Sequence, residues 1–369
     1  MRNIKLIAFY LPQFHAIPEN DKWWGQGFTE WCNVKNAAPV FQGHIQPRIP
    51  LNNNYYNLLS PETVKWQVKL AKEYGIYGFC YYHYWFDGKM LMEKPMEHML
   101  ADKSIDFPFC ISWANEDWTR AWAQKNKEVL IQQTYGDEAE WKRHFEYLLQ
   151  FFRDERYIKN EGRPVIVLYR ADKIPCLEKM LLKWKEYARE SGLPGLCIMY
   201  QCASYDHRRD KAGYLFDYGI EYQPNTVRIE QRKTLQMISK KVYHIVSDKL
   251  HIPQKLNSSI SYSYDDTWKR ILQMNPRDEK MIPGAYVNWD NTPRHKQHGS
   301  LDYGYSSEKF KKYLSAQIRR AKEVYQKNYI FLFAWNEWGE GGYMEPDEQE
   351  GYARLKALKE ALVDTGELE

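Results

Sequence analysis

The stretch FAWNEWGEGGYMEP, Phe333 to Pro346, carries two glutamates three residues apart, Glu337 and Glu340, directly after the apolar run NYIFLF. Trp335, Trp338 and the glycines Gly339, Gly341 and Gly342 surround them. A solvated turn has no need of apolar aromatics beside its acids, whereas a site that holds ionisable groups against an apolar ligand face does. Glycosidic cleavage needs two carboxyl groups near the scissile bond, about 5–5.5 Å apart for retention and about 6.5–9.5 Å for inversion. If the segment makes one helical turn, residues three apart lie about 5–6 Å apart at Cβ, a spacing compatible with retention. The glycines let the backbone turn sharply and approach a substrate closely. Trp338 offers an apolar wall that would raise the pKa of one glutamate and keep it protonated as the acid, while its partner stays ionised.

Such a pair works only where the fold carries it to a pocket. Eight short apolar or β-branched runs recur along the chain, at 4–11, 75–85, 107–115, 164–170, 196–202, 218–223, 284–290 and 329–337. Helical patterns separate them. SPETVKWQVKLAKEYG places Ser60 as N-cap and Pro61 at the first helical position, and LEKMLLKWKEYARESG stops at Gly192. Strands alternating with helices predict a parallel sheet covered on both faces. Eight units over 369 residues predict a single catalytic domain over 1–369, an α/β fold of the (β/α)8 TIM-barrel type; no GxGxxG follows any strand. Two stretches exceed simple connections, a long first loop at 12–58 and an inserted segment at 224–280 between strands six and seven.

Barrel enzymes build their sites at the carboxyl ends of the strands. The first run and its loop deliver Tyr10, His15, Trp24 and Glu30 there, and the second delivers Tyr82 and His83. Trp113, Asn115 and Glu116 follow the third, Tyr169 the fourth, Tyr222 the sixth and Trp289 the seventh. Trp335, Asn336 and Trp338 accompany the two glutamates at the eighth. Aromatic faces stack on pyranose rings, and amides and carboxylates hydrogen-bond hydroxyls, so these are the expected substrate contacts and a carbohydrate is the expected substrate. Glu116, in WANED, is also an alternative acid, with Glu337 then a direct nucleophile.

Composition narrows the rest. The chain is 44% hydrophobic and 27% charged, that of an ordinary globular protein. A net charge of +4 points to neither nucleic acid nor membrane, and no nucleic-acid module occurs. Positions 226–260 hold seven Lys or Arg against two acids, which suits a solvated face or a weak contact with an anionic surface. Six cysteines without a CxxC spacing read as reduced thiols of a cytoplasmic protein. The start MRNIKLIAFYLPQFH has no cleavage site and reads as a first strand, and no apolar run is long enough to be a transmembrane segment. His295 and His298 in RHKQH have no third ligand nearby and read as a surface loop, so neither a metal nor an organic cofactor is expected. No GxSxG elbow occurs.

Three separated motifs, FYLPQFHAIPENDKWWGQGFTEW, SWANEDWTRAW and WNEWGEGGYMEP, together resemble the WbsX-type proteins, from Ile4 to about residue 350. Those are found with bacterial surface-polysaccharide genes and are grouped as glycoside hydrolase family 99-like. The resemblance implies a (β/α)8 barrel acting on glycans without metal or organic cofactor. Family 99 endo-acting α-mannosidases carry a similar Asn-Glu-Trp-x-Glu-Gly motif at the last strand. There the first Glu engages the sugar 2-hydroxyl as base, opening a 1,2-anhydro intermediate, and the second protonates the leaving group and later activates water. By that resemblance Glu337 takes the base role and Glu340 the acid/base role. Where the family 99 motif has His, this chain has Gly339.

The expected function is a retaining glycoside hydrolase acting on a bacterial polysaccharide or oligosaccharide, with mannoside-like substrates implied by the resemblance. A glycosyltransferase of surface-polysaccharide (O-antigen or capsule) biosynthesis is the alternative. The chain has no DxD and no glycine-rich phosphate loop after a strand, though metal-independent transferases need neither. A catalytically dead glycan-binding barrel is a third reading, and the intact Glu337 and Glu340 count against it.

Overall fold

In the computed structural model, which describes residues 3–120, 128–231 and 260–368, every one of the apolar runs forms parallel strand. The barrel strands are β1 Lys5–Tyr10, β2 Gly78–Phe86, β3 Phe109–Trp113, β4 Arg163–Leu168, β5 Cys197–Gln201, β6 Tyr218–Ile220, β7 Met281–Ile282, β8 Gly284–Tyr286 and β9 Tyr329–Phe333. Their spatial order is β7-β6-β5-β4-β3-β2-β1-β9-β8, with every neighbouring pair parallel. The two ends of that order, β7 and β8, are separated only by Pro283, so the nine strands make a nearly closed barrel.

Nine strands stand where eight runs were expected because the seventh unit is split. Proline has no N–H to give a ladder, but the Pro283 carbonyl still accepts from Phe331 N at 3.3 Å. Met281–Ile282 therefore pairs with β6 and Gly284–Tyr286 with β9. Residues 287–290, expected to continue the strand, leave the sheet and enter the site loop.

The principal helices are α1 Pro61–Tyr74, α2 Lys94–Ala101, α3 Glu138–Phe152, α4 Leu177–Glu190, α5 Tyr264–Gln273, α6 Ser307–Glu323 and α7 Ala353–Asp364. Asp137 caps α3 by accepting from Glu140 N, and Ser306 caps α6 by accepting from Lys309 N. Ser60 holds the N-cap position of α1, but its hydroxyl donates to Glu62 at 2.7 Å instead of capping a backbone N–H.

Strand parity decides which side chains reach the interior. Phe9 and Tyr82 point inward and stack at 5.6 Å between ring centroids. Their sequence neighbours point at the helices: Tyr10 donates to Gln67 of α1 at 2.7 Å, and His83 meets His144 of α3 at 3.0 Å between Nε2 atoms. The first loop carries two short helices, Pro18–Trp24 and Glu30–Lys35. Most of the basic stretch 226–260, read as a solvated face or a weak contact with an anionic surface, lies outside the described residues. Among the described residues no helix is long and apolar enough to cross a membrane.

Candidate active site

Beyond β9 the chain makes a small hairpin. Asn336–Glu337 pairs antiparallel with Gly342–Tyr343, and Trp338–Glu340 forms a single 3-10 turn between them. The expected helical turn is thus the tighter variety, closed by Gly341 at φ 67, a left-handed conformation that favours glycine. Asn336 pins the hairpin to the end of β1: its Oδ1 accepts from Leu11 N at 2.7 Å and its Nδ2 donates to Leu11 O at 3.0 Å. The Glu340 carbonyl accepts from Asp290 N at 2.7 Å, which ties in the loop after β8.

Beneath the turn lies a buried carboxylate, Glu345. It accepts from Trp338 Nε1 at 2.7 Å, Gln67 Nε2 at 2.6 Å and the Tyr56 hydroxyl at 2.8 Å. Burial pushes it up to about 7, against those donors. Trp338 itself stacks on Tyr343, centroids 3.7 Å apart, and packs on Trp31. It props the hairpin from below and is not the apolar wall of the cavity that was expected.

The centre of the site is Arg294, from the short helix Thr292–His295 after β8. Its Nη2 donates to Glu337 at 3.1 Å, its Nη1 to Glu340 at 2.7 Å and its Nε to Glu30 at 2.7 Å. The guanidinium is 7% exposed, Glu30 0%, Glu337 6% and Glu340 20%, so Glu340 is the member most open to a ligand. One cation faces three carboxylates, and ionising all three in a buried place is costly. Burial pushes Glu337 up to about 8, against the pull of Arg294 and with the push of Glu340 and Glu30. Burial also raises Glu30, again opposed by Arg294. Burial works against charge on Arg294 too, but Glu30, Glu337 and Glu340 hold it well above its ordinary value.

Glu337, Glu340 and Arg294 line a cavity of about 270 Å³ at the carboxyl ends of the strands. Tyr82, Tyr169 and Tyr222 form one aromatic group in it: the Tyr82 and Tyr222 hydroxyls are 3.1 Å apart, and Tyr169 packs edge-on against both rings. Trp24 and Phe28 stack at 5.6 Å on another part of the wall, near Trp118, and Trp289 adds a further face. Glu116 reaches the cavity and is ion-paired with Arg170, whose guanidinium also grips Asp172 at 2.9 and 2.8 Å. Burial raises Glu116, and Arg170 opposes the rise.

Of the expected substrate contacts, Trp24, Tyr82, Glu116, Tyr169, Tyr222 and Trp289 line the cavity. Tyr10, His83 and Trp113 have the wrong strand parity; Trp113 packs on His144 of α3 and Trp184 of α4. Asn115 faces away and clamps the Arg170 backbone, accepting from its N and donating to its O, both at 2.8 Å. His15 and Trp335 are buried off the cavity, and Asn336 is spent on Leu11. Glu30 does not line the cavity: it stands behind the 3-10 turn, ion-paired with Arg294.

Sequence reasoning missed Arg294, since RHKQH was read as a surface loop. His298 is exposed, but Thr292, Pro293 and Arg294 are buried. The signal lay in position: Arg294 follows a strand's carboxyl end, where barrel sites form. Tyr84, which shares the parity of Tyr82, and Gln13, which donates to the Tyr84 hydroxyl at 2.9 Å, also line the cavity and were not among the expected contacts.

Residues 6–358 match the family model described as Glycosyltransferase WbsX. The chain belongs to the WbsX family. The resemblance read from three motifs therefore holds over nearly the whole sequence, in a family of carbohydrate-active enzymes. Protein WxcX of Xanthomonas campestris pv. campestris (strain B100), described as uncharacterized, is 35% identical to this WbsX chain over 363 residues. That match covers 97% of this chain and 49% of WxcX, so the chain spans about half the length of the curated relatives it matches.

Among solved structures, a glycoside hydrolase-like protein aligns with a TM-score of 0.57 at 13% identity, over 98% of this chain and 94% of its own. The GH99 endo-alpha-mannosidase from Bacteroides thetaiotaomicron aligns with a TM-score of 0.56 at 12% identity, over 99% and 98%. At such identities the likeness is one of fold: the WbsX chain is built on a family 99-like barrel.

Proposed function

We propose that this WbsX chain is a glycoside hydrolase that cleaves a bacterial polysaccharide or oligosaccharide with retention of configuration. One observation carries the reading: Glu337 and Glu340 share the Arg294 guanidinium on the wall of an aromatic cavity. A positioned pair of carboxyl groups suits acid/base work, and here Glu337 is enclosed while Glu340 opens towards the cavity.

The reaction follows in two steps. Glu337 takes the proton of the sugar 2-hydroxyl as O2 attacks C1. The C1–O bond to the leaving group breaks, and Glu340 donates its proton to that oxygen. Glu340, now a carboxylate, then takes a proton from water, whose oxygen attacks C1. The 1,2-anhydro ring opens, and O2 recovers its proton from Glu337. Two inversions at C1 give net retention. A base acts best with a pKa near the working pH, and the enclosure of Glu337 moves it that way. Glu116, tied to Arg170, holds substrate hydroxyls. The GH99 endo-alpha-mannosidase that shares this fold supports a mannoside-like substrate.

Transfer from an activated sugar donor is the second reading, favoured by the description of the family model. Wild type, Glu337→Gln and Glu340→Gln, assayed on aryl glycosides and bacterial surface glycans with nucleotide sugars in parallel, separate the two. Hydrolysis lost in both variants with inert nucleotide sugars supports the hydrolase. Donor-dependent transfer that survives both substitutions overturns it.

A further inference from the structure

Glu30 poses a problem that the reaction above leaves unsolved. Its side chain is 0% exposed and does not line the cavity, so it cannot reach a sugar. Arg294 does not need it for neutrality, because Glu337 and Glu340 already face the guanidinium. Enclosing an additional carboxylate beside two others is unfavourable unless it does something there.

The local structure is nonetheless shaped to admit it. Glu30 opens the helix Glu30–Lys35, its backbone N–H donates to Gln13 O at 3.0 Å, and Asn33 Nδ2 reaches its Oε2 at 3.4 Å. A β-carbon on Gly339 would stand 1.8 Å from Glu30 Oε1 and 2.8 Å from Arg294 Nε. The absence of a side chain at 339 is thus what lets Glu30 and Arg294 meet underneath the 3-10 turn.

We propose that Glu30 and Arg294 form a positioning pair for the Glu337 carboxyl group, in which Arg294 favours its ionised form and Glu30 restrains that pull by occupying the same guanidinium. The pair rests on the hydrolase reading for its purpose but not for its existence. A guanidinium held by Glu337 and Glu340 alone would leave Glu337 ionised and weakly basic. With Glu30 also drawing on it, the cation is shared, and Glu337 keeps enough proton affinity to act as base on a hydroxyl, a far weaker acid than a carboxyl group.

The other groups that face Glu337 do not change charge in the relevant range. Tyr82 and Tyr84 come from β2, Tyr169 from the end of β4 and Tyr222 from the end of β6, and burial raises all four phenols above their ordinary value. Arg294 stays charged throughout. Glu340 and Glu30 are the carboxylates that push on Glu337.

The test follows the Glu337 carboxyl directly, by infrared difference spectra of protein carrying ¹³C-labelled glutamate, with Glu337→Gln identifying its band. No substrate is required, so the result stands apart from whether the chain hydrolyses glycans. Glu30→Gln keeps the shape and a hydrogen-bonding oxygen while removing a charge, and the Glu337 midpoint should fall by about 1–3 pH units. Arg294→Met should raise it by a similar amount, and Arg294→Lys should restore part of the difference. A merely structural pair would move both variants the same way or neither. A wild-type midpoint in the ordinary carboxylate range, or one that stays put or rises in Glu30→Gln, overturns the proposal; the wild-type titration decides the first point even if a variant fails to fold. If the midpoints move as stated but no glycan is cleaved, the hydrolase reading fails and the positioning pair remains.

Discussion

Glu30 Oε1 lies 1.8 Å from the place a β-carbon on Gly339 would occupy, so these two residues, more than 300 positions apart in the chain, share one volume. Gly339→Ala must push Glu30 or Arg294 aside. Overpacking of this kind costs about 1–3 kcal/mol, so the thermal midpoint should drop while far-ultraviolet circular dichroism stays native. kcat/KM should fall at least about tenfold, since a 1 Å misplacement of catalytic groups can cost about 10²-fold. An alanine variant with unchanged melting and activity would show that the turn relaxes freely.

Removing either carboxyl of the proposed acid/base pair has a separate signature. Glu337→Gln and Glu340→Gln should each lower kcat by about 10²–10⁴-fold, the usual contribution of a positioned acid or base. Substrates lacking the 2-hydroxyl should resist cleavage by wild type, because the first step needs that oxygen. Proton NMR of a fresh digest should give the product anomer with the configuration of the substrate. Inversion, or ready cleavage of a 2-deoxy glycoside, would exclude the anhydro route.

The enclosure of Glu337 sets opposite slopes for activity and stability. In the proposed reaction Glu337 is the base and must be ionised, so kcat/KM should rise with pH through about 8. Its folded-state value is raised above the ordinary 4.5, so the native protein holds this proton more tightly than the unfolded chain does. The stability it contributes is fully present below about 4.5 and is lost as pH rises towards about 8. The loss is at most about 1.4 kcal/mol per pH unit for one group. Melting curves should show a shallower decline over that window in Glu337→Gln, with Glu345 and Glu221, both pushed up to about 7 mainly by burial, and Asp302, pushed up to about 6, among the groups that contribute to what remains.

Glu116 is expected to bind. Glu116→Gln should raise KM by more than it lowers kcat, and Arg170→Ala should do much the same, because Arg170 holds the Glu116 carboxylate in place. Two residues acting as one unit give non-additive losses, so the double variant should be little worse than either single. A collapse of kcat in Glu116→Gln with KM unchanged would make Glu116 the acid instead.

How much of this was legible in the residues differs by level. The barrel was, because parallel strands covered on both faces read as apolar runs separated by amphipathic helices. The split of the seventh unit was not: a proline between Ile282 and Gly284 looks like a strand boundary, and only pairing on both sides reveals that the chain continues through it. At the site, Glu337 and Glu340 announced themselves by type and spacing. Tyr82 and His83 did not separate by residue type, since both suit sugar binding, and parity alone sends one to the cavity and the other to His144. Arg294 was hidden because its burial comes from contacts far away in sequence, to Glu30 at a separation of 264 residues.

That separation has a consequence in time. The acidic cluster is assembled from the first loop, the segment after β8 and the hairpin after β9. During synthesis, at about 5–20 residues per second, Glu30 leaves the peptidyl-transferase centre roughly 15–60 s before Glu340 is made. The cavity aromatics Tyr82, Tyr169, Tyr222 and Trp289 are made one after another within that interval, and Glu337 and Glu340 come last. The three carboxylates can therefore meet on Arg294 only after the last strand has taken its place beside the first.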